Sequence, residues 1–127
     1  MEQYLIDTNV VSDYFSASLS TTGMQFMDTI IDAIPNLSII TPIELLCWKT
    51  NHSTEQKVKD FISDSVILNI DSDSITQCVE LRKHKNIKTP DAIIAATSLA
   101  RGYILITNNE KDFSGIKNLR IVNPMRL

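Results

Sequence analysis

The amino-acid sequence predicts an α/β fold, in which a mostly parallel sheet of about five strands carries helices on both faces. Short apolar runs alternate along the chain with longer segments whose apolar residues recur at helical spacing. Strands that alternate with helices are typical of crossover units, which build parallel sheets covered on both sides. The length of 127 residues suits one domain, which we expect to span residues 1–127.

The apolar runs are the predicted strands, and the periodic segments between them are the predicted helices. Strands are expected at residues 4–6, 37–40, 66–70, 104–107 and 120–122. Helices are expected at residues 9–15 and 24–34, from residue 41, from about residue 53, and from residue 90 to residue 101, and a further helix is expected to have Asp73 or Ser74 as its N-cap. Residues 16–23, rich in serine and threonine, are expected to form a polar connection between the first two helices.

Two of the helix starts share a threonine, a proline and an acid. In Thr41-Pro42-Ile43-Glu44 we expect Thr41 to be the N-cap, with the glutamate completing a capping box. Thr89-Pro90-Asp91 has the same arrangement. Gly102 is expected to end the helix that begins there, because glycine is the preferred C-cap residue.

Apolar side chains at helical spacing are expected to face the core. In the second and fifth helices these are Met24, Met27, Ile30, Ile31, Ile34, Ile75, Cys78 and Val79. The helix that follows Asp91 is apolar on most sides, and its alanines should let it lie close to the sheet. Cys47 and Cys78 are expected to be buried small hydrophobes, since two isolated cysteines without CxxC spacing do not suit zinc.

The overall charge argues against a protein that binds nucleic acid through bulk positive charge. Twelve Lys and Arg against fifteen Asp and Glu give a formal net charge of −3. A local basic patch or a bound metal remains compatible with that charge. No apolar run approaches the roughly 20 residues that span a bilayer, and residues 1–4 lack the basic start of a signal peptide. We therefore expect a cytoplasmic protein without membrane association.

Four acids lie where predicted strands end or where the following helices begin. Asp7 ends the first strand, and Glu44 lies in the first turn of the helix after the second. Asp91 lies in the first turn of a later helix, and Asp112 lies just beyond the fourth strand. The carboxyl ends of parallel strands form one edge of a sheet, where ligand crevices occur. Four carboxylates at that edge would repel one another strongly unless a cation lay between them.

An oxygen-rich cluster of this kind suits a hard cation, Mg²⁺ or Mn²⁺, better than zinc. His52 and His84 fall in polar connecting regions away from the acids, where we expect them to be solvated. Because a helix N-terminus favours a carboxylate over the neutral acid, Asp91 and Glu44 should remain ionised ligands.

Each acid also has a purely structural interpretation. Glu44 would complete a capping box, and Asp91 would be a favourable first-turn charge. Asp7 could cap the first helix, and Asp112 could be an ordinary turn residue. For any single acid the structural interpretation is the more common one. The recurrence of all four at corresponding ends of alternating units favours a site.

Four segments of the chain resemble the motifs of PIN-domain ribonucleases, and among these the VapC-type toxins of bacterial toxin–antitoxin pairs. The segments are Leu5-Ile6-Asp7-Thr8-Asn9-Val10, Pro42-Ile43-Glu44-Leu45, Thr89-Pro90-Asp91-Ala92-Ile93-Ile94-Ala95 and Ile106-Thr107-Asn108-Asn109-Glu110-Lys111-Asp112-Phe113. The Asp-Thr-Asn segment alone is weakly specific, whereas the set of four, in this order, spans nearly the whole chain. The resemblance implies a five-stranded parallel sheet and cleavage of RNA that depends on Mg²⁺ or Mn²⁺.

The same resemblance implies roles for the acids. Asp7 and Asp91 would be direct metal ligands, Glu44 would help to hold the metal or its water, and Asp112 would complete the acidic set. Asn109 stands where some relatives carry an acid, so the fourth role falls to Asn109, to Asp112 or to both. This departure leaves the number of metal ions, one or two, open.

Hydroxyl groups of Thr107 and Thr8 would support the acids in the crevice. A bound Mg²⁺ lowers the pKa of a coordinated water and polarises a phosphate, and a second ion can stabilise the leaving oxygen. Hydrolysis of a phosphodiester in RNA by this route requires no serine, cysteine or histidine nucleophile, and none is suitably placed in the sequence.

A basic segment leads directly to Asp91, from Arg82 to Lys88. Charge runs are usually solvated, but this position favours contact with RNA phosphates. The candidate RNA-contacting residues are Lys83, Lys85, Lys88 and Lys111, with Lys49 as a further candidate. VapC resemblance also implies homodimers and a cognate antitoxin, for which Phe26, off the main apolar stripe of its helix, is a candidate groove residue.

Three other functions are compatible with parts of the sequence. A non-catalytic domain of the same fold could use the acidic edge to bind a partner, and a structure-specific DNA nuclease could use the same site chemistry. An aspartyl-phosphate phosphatase would use Asp7 as its nucleophile, but that class requires a second acid two residues later, where this chain has Asn9. The short chain also shows no clamp for duplex DNA.

Overall fold

The computed structural model describes residues 2–127, in which strands and helices alternate in the predicted order. The elements are β1 (Tyr4–Ile6), α1 (Thr8–Phe15), α2 (Thr21–Asp32), β2 (Asn36–Ser38), α3 (Ile40–Leu46), α4 (His52–Asp64), β3 (Val66–Leu68), α5 (Ser72–His84), α6 (Thr89–Arg101), β4 (Ile104–Ile106), α7 (Glu110–Phe113), β5 (Ile121–Val122) and a 3₁₀ helix (Pro124–Arg126). Helix α7 was not predicted, because four residues are too few to show helical periodicity.

The five strands form one parallel sheet in the order β3-β2-β1-β4-β5. Strand β1 is central, with Leu5 paired to Asn36 of β2 on one side and to Leu105 of β4 on the other. The chain therefore builds the sheet outwards from β1, first to one edge and then to the other. This reversal places the switch point of the topology, where ligand crevices occur in such sheets, at the carboxyl ends of β1 and β4. The predicted fold class is confirmed.

Alternate strand residues point to opposite faces of the sheet, and each face has its own core. Ile6 and Ile106 pack with residues of α1, α2 and α4, including Val10, Met27 and Phe61. On the other face, Leu5, Leu105 and Leu68 pack with Ile94, Ala95 and Phe113 of α6 and α7. Helices on both faces are thus confirmed. Among residues 2–127, no helix combines the length and apolarity that crossing a membrane requires.

Helix α6 lies close against the sheet because three of its small residues, Ala92, Ala95 and Ala96, are fully buried. It ends as predicted at Gly102, which adopts a left-handed conformation with φ 69°. A residue with a β-carbon would be strained there.

The predicted strand ends were wrong by one or two residues. Residues 39, 40, 69, 70, 107 and 120 were expected in strands and lie outside them, while residue 36 belongs to β2. Residue 40 already begins α3, so the chain turns into the helix directly after its last paired strand residue. The apolar run continues past β2 because Ile39 and Ile40, which lead into α3, are also partly buried.

Helix α2 starts three residues earlier than predicted, so the polar connection is shorter. Ser20 is its N-cap and accepts a hydrogen bond from the Gly23 amide. A β-carbon on Gly23 would lie 2.3 Å from the carbonyl oxygen of Pro124, so the glycine is needed for the C-terminal 3₁₀ helix to pack there. Ile34, predicted to extend the apolar stripe, lies beyond the helix with φ 60° and is 62% exposed.

The predicted N-caps of three helices were wrong. Helix α3 begins at Ile40, so Thr41 lies inside the helix and caps nothing, and Glu44 forms no capping box. Helix α6 has Lys88 as its N-cap residue, without a side-chain bond. Helix α5 is capped by Asp71, whose carboxylate accepts from the Ser74 amide, and not by residue 73 or 74.

The orientation predicted for α5 was also wrong. Ile75 and Val79 are 53% and 45% exposed, and Cys78 is only partly buried. The periodicity of a helix identifies its apolar face but not what covers that face. Cys47, expected to be buried, is exposed near the end of α3.

Candidate functional site

Asp7 lies at the carboxyl end of β1 and is only 3% exposed. Its amide donates to the Ile106 carbonyl at 2.9 Å, which joins the ends of β1 and β4. Its carboxylate accepts a hydrogen bond from the Thr107 hydroxyl, with 2.8 Å between Oγ1 and Oδ2. Asp7 occupies the N-cap position of α1 without making a side-chain cap bond, so capping does not account for this buried acid.

Burial raises the pKa of Asp7 from its ordinary value of 3.8 to about 6, because desolvation disfavours the carboxylate. The negative charges of Asp91 and Glu44 raise this pKa further, while the hydrogen bond from Thr107 lowers it. The acids that followed separate strands in the sequence are therefore close enough here to affect one another's ionisation. A cation among them would relieve this repulsion.

Glu44 is held by the side chain of Thr8. The Thr8 hydroxyl lies 2.6 Å from Oε1 of Glu44 and 3.1 Å from the hydroxyl of Thr41. Thr41 is fully buried, so the first turn of α3 is fixed against the start of α1 through this hydroxyl pair. Thr8 thus contacts an acid, as expected of a supporting hydroxyl, and Thr41 is a contact that the sequence did not reveal.

Asp91 lies in the first turn of α6 and is partly buried. Burial raises its pKa, and the charges of Asp112 and Glu44 raise it further, whereas Lys88 lowers it. Asp91 therefore lies close enough to both Glu44 and Asp112 for their charges to affect its ionisation.

The loop between β4 and α7 carries the remaining predicted residues. The Asn109 side chain donates from Nδ2 to Oδ2 of Asp112 at 2.8 Å, and its amide donates to Oγ1 of Thr107 at 3.0 Å. Asn109 and Asp112, offered by the sequence as alternatives for one role, are thus hydrogen-bonded to each other.

The same loop reveals two residues that sequence reasoning missed. The Asn108 side chain donates to the carboxylate of Asp13 on α1, across 95 residues of sequence. No spacing or motif in the sequence indicates this contact, since the pairing of β1 with β4 brings α1 and the loop together.

The donors at this edge fit a hard divalent cation. Asp7, Glu44, Asp91 and Asp112 supply only oxygen, and between residues 2 and 127 none of them forms a salt bridge. Their charges are therefore uncompensated by side-chain cations in direct contact. No three His, Cys, Asp or Glu side chains in that range converge closely enough to enclose an ion as they stand. His84 lies on α5 and contacts Glu80, and His52 is exposed on α4.

The basic segment lies beside the acids. A cleft of about 500 Å³ is lined by Arg82, Asn86, Ile87, Lys88, Thr89 and Asp112. Of the candidate lysines, Lys88 alone lines this cleft. Lys83 and Lys85 line an adjoining hollow of about 360 Å³ that shares Arg82, Asn86 and Ile87 with it. Lys111 and Lys49 are exposed and line neither. Arg82 and Asn86 were part of the basic segment but were not among the candidates.

Known proteins with similar sequences and structures provide an independent comparison. Residues 4–119 match the family profile of the PIN domain. No curated protein matches the chain significantly. A toxin–antitoxin complex from Klebsiella pneumoniae contains a chain 34% identical to this one, with coverage of 96% of this chain and 98% of that chain and a TM-score of 0.74.

Two further structures show likeness of fold alone. A DNA-bound VapBC complex from Salmonella typhimurium contains a chain of 22% identity and TM-score 0.78, with coverage of 98% of this chain and 99% of that chain. FitAcB from Neisseria gonorrhoeae contains one of 23% identity and TM-score 0.79, with coverage of 98% and 100%.

Replacing Asp7 with Asn should stabilise the metal-free protein above pH 6. The folded chain holds the Asp7 proton up to pH about 6, whereas the unfolded chain releases it near pH 4, so the free energy of unfolding falls as pH rises between these values. A difference of about two pKa units corresponds to about 3 kcal/mol, which is an upper bound on the gain. Denaturant unfolding in EDTA at pH 4 and pH 7.5 measures the difference in the free energy of unfolding between Asp7→Asn and the wild type.

The exposed acid Asp60, changed to Asn, is the matched control and should show little effect at either pH. If Asp7→Asn and the wild type lost equal stability between the two pH values, burial of the Asp7 charge would not be destabilising.

Proposed function

Because the chain belongs to the PIN-domain family, we propose that it is a metal-dependent endoribonuclease that acts as the toxin of a toxin–antitoxin pair. The observation that carries the proposal is the buried carboxylate of Asp7 at the crevice between β1 and β4, electrostatically coupled to Asp91 and Glu44. A structural role does not explain this cluster, since each additional acid raises the pKa of its neighbours and so opposes their ionisation.

In the proposed reaction Asp7 and Asp91 hold a divalent cation, Mg²⁺ or Mn²⁺, which when bound polarises the scissile phosphate and acidifies a water. Thr107 orients Asp7 and favours its ionised form through the 2.8 Å hydrogen bond. Thr8 holds Oε1 of Glu44, which leaves Oε2 for the metal or its water.

Asp112 and Asn109 fill the fourth acidic position together in this proposal. The amide group of Asn109 holds one oxygen of the Asp112 carboxylate, Oδ2, without cancelling its charge. Residues that follow β1 and residues that follow β4 thus contribute to one reaction centre.

Purified protein should cleave labelled single-stranded RNA with Mg²⁺ or Mn²⁺ and not with EDTA. Asp7→Ala and Asp91→Asn should each lower the rate on the order of a hundredfold or more, because each removes a proposed metal ligand. Asp60→Asn is the control and should cleave at the wild-type rate. Circular dichroism establishes that each variant is folded.

Several results would contradict the proposed activity. Full-rate cleavage by folded Asp7→Ala would exclude the assigned site. Stabilisation by Mn²⁺ without cleavage would favour a non-catalytic PIN domain, and cleavage of DNA but not RNA would favour a DNA nuclease.

We also propose that the RNA strand enters through the cleft beside Asp112 and continues over the adjoining hollow. Arg82 and Lys88 face no acidic side chain within salt-bridge distance among residues 2–127, so both charges are available to phosphates. The neutral wall of the cleft includes Asn86, whose amide can both donate and accept. Lys83, Lys85 and Lys111 would make outer phosphate contacts.

Changing Arg82 and Lys88 together to Gln should weaken binding of single-stranded RNA. Two lost phosphate contacts should flatten the slope of log K against log salt concentration by about 1.4. The matched pair Lys83→Gln with Lys85→Gln should have a smaller effect. Fluorescence anisotropy in EDTA measures binding without cleavage, and equal effects of the two pairs would contradict the path through the cleft.

A second groove suits the proposed antitoxin partner. It measures about 540 Å³ and is lined by Tyr14, Phe15, Ile31, Asp32, Ile34, Pro35, Lys57, Asp60, Phe61 and Asp64. An apolar floor with an acidic rim favours a segment that carries both apolar and basic side chains. Phe26, the residue suggested by the sequence, instead packs edge-on against Tyr4, with 6.0 Å between ring centroids.

The exposed face of α5 supports the proposed homodimer. Ile70, Ile75 and Val79 border an apolar groove of about 180 Å³ on this face. Two copies of α5 packed antiparallel would cover these apolar residues.

Size-exclusion chromatography with light scattering should show a dimer for the wild type and a monomer for Ile75→Asp, since a charge would be buried in the interface. Ile34→Asp alters a similarly exposed isoleucine, which lines the second groove and not the face of α5, and should remain dimeric. A wild-type monomer at high concentration would contradict the homodimer, and a dimeric Ile75→Asp would exclude this face.

A further inference from the structure

Three successive residues of the loop after β4 hold three acids, of which two belong to α1 and its N-cap and one belongs to α7. Thr107 donates to Asp7, Asn108 donates to Asp13, and Asn109 donates to Asp112. Two of these acids belong to the proposed reaction centre. Asp13 does not, and neither motif resemblance nor the electrostatics of the acidic edge assigns it a function.

Asp13 is mechanically connected to Asp7 through α1. The amides of Val10 and Val11, in the first turn of α1, donate to the Asp7 carbonyl at 3.1 and 3.4 Å. Asp13 lies in the eight-residue helix that Asp7 precedes as the N-cap residue. A bond from the loop to Asp13 therefore fixes the loop relative to the backbone that carries Asp7.

Asn108 lies between the two residues that contact the reaction centre. The Asn109 amide donates to the Thr107 hydroxyl at 3.0 Å, and that hydroxyl donates to Asp7 at 2.8 Å. Asn109 also caps α7 by accepting from the Asp112 amide at 3.4 Å. A displacement of residue 108 would therefore change the orientation of both carboxylates.

The chemistry of the Asn108 side chain suits this position. Its amide binds a carboxylate without bringing a positive charge to the acidic edge. A lysine or arginine could make the same bond, but its charge would compete with a divalent cation for the neighbouring acids. All three donors of the loop are neutral, and all three acceptors are acids.

We propose that Asn108 and Asp13 form a positioning pair, which fixes residues 107–109 and thereby orients Asp7 and Asp112. Neither residue needs to touch substrate. The effect on catalysis rests on the proposed nuclease function, whereas the effect on the order of the loop does not. These two consequences can be measured separately.

The test compares Asn108→Ala and Asp13→Ala with the exchange variant Asp13→Asn/Asn108→Asp, in which the same hydrogen bond can form in reverse. Amide hydrogen exchange, followed by NMR, measures the order of the loop. In both alanine variants the Asn109 and Asp112 amides should exchange at least about tenfold faster than in the wild type. The Lys85 amide, bonded to the Leu81 carbonyl, should exchange at its wild-type rate.

RNA cleavage gives the second readout. Each alanine variant should lower kcat on the order of tenfold with KM within about twofold, because misoriented groups affect the transition state more than binding. The exchange variant should recover both kcat and slow amide exchange to within about threefold of the wild type. It also supplies the test should an alanine variant fail to fold.

Three outcomes would overturn the positioning pair. One is unchanged exchange of the Asn109 and Asp112 amides in the alanine variants, and another is an exchange variant no better than they are. The third is faster exchange at Lys85 as well, which would indicate general destabilisation. Absence of RNA cleavage by the wild type would instead contradict the proposed function and leave the hydrogen-exchange result to decide on the pair.

Discussion

Asp7 brings a carboxylate to the junction of two central strands, where its ordinary ionisation is opposed by desolvation. Its pKa of about 6 measures that opposition, and the nearby charges of Asp91 and Glu44 increase it. The rest of the edge is arranged around this residue. The β1–β4 pairing buries it, Thr107 donates to it, and the first turn of α1 hydrogen-bonds to its carbonyl. A bound cation would offset the energetic cost of burying the Asp7 carboxylate near two other acids.

Neutral donors hold Asp7, Glu44 and Asp112 at this edge. Thr107, Thr8 and Asn109 each bind one carboxylate oxygen, and the charges themselves are left in place. Arg82 and Lys88 line the adjacent cleft, which also includes Asp112. In the proposed function the neutral contacts would orient metal ligands without replacing a metal. The positive side chains would attract a polyanion despite the net charge of −3.

The order of strands and helices and the places of Asp7 and Asp91 in it could be predicted because both are encoded locally. An apolar run marks a strand to within one or two residues, and Asp7, which follows such a run, lies at the carboxyl edge. Glu44, predicted in the first turn of its helix, lies beyond that turn because α3 begins at Ile40. Contacts between distant segments could not be predicted. Thr8 meets Glu44 across 36 residues, and Asn108 meets Asp13 across 95, through the packing of helices and strands that no local pattern specifies. Likewise, the apolar face of α5 was recognisable, but its exposure was not.

The central strand is the first of the five strands to be synthesised, and this order determines when the proposed active site can form. Asp7 and Thr107 are separated by 100 residues, so a growing chain carries the first acid long before its supporting hydroxyl exists. Contacts of such long range form late in folding, since loop closure must precede them. The proposed active site could therefore not form until β4 has left the ribosome. Until then the nascent chain would not cleave the RNA of the ribosome that makes it.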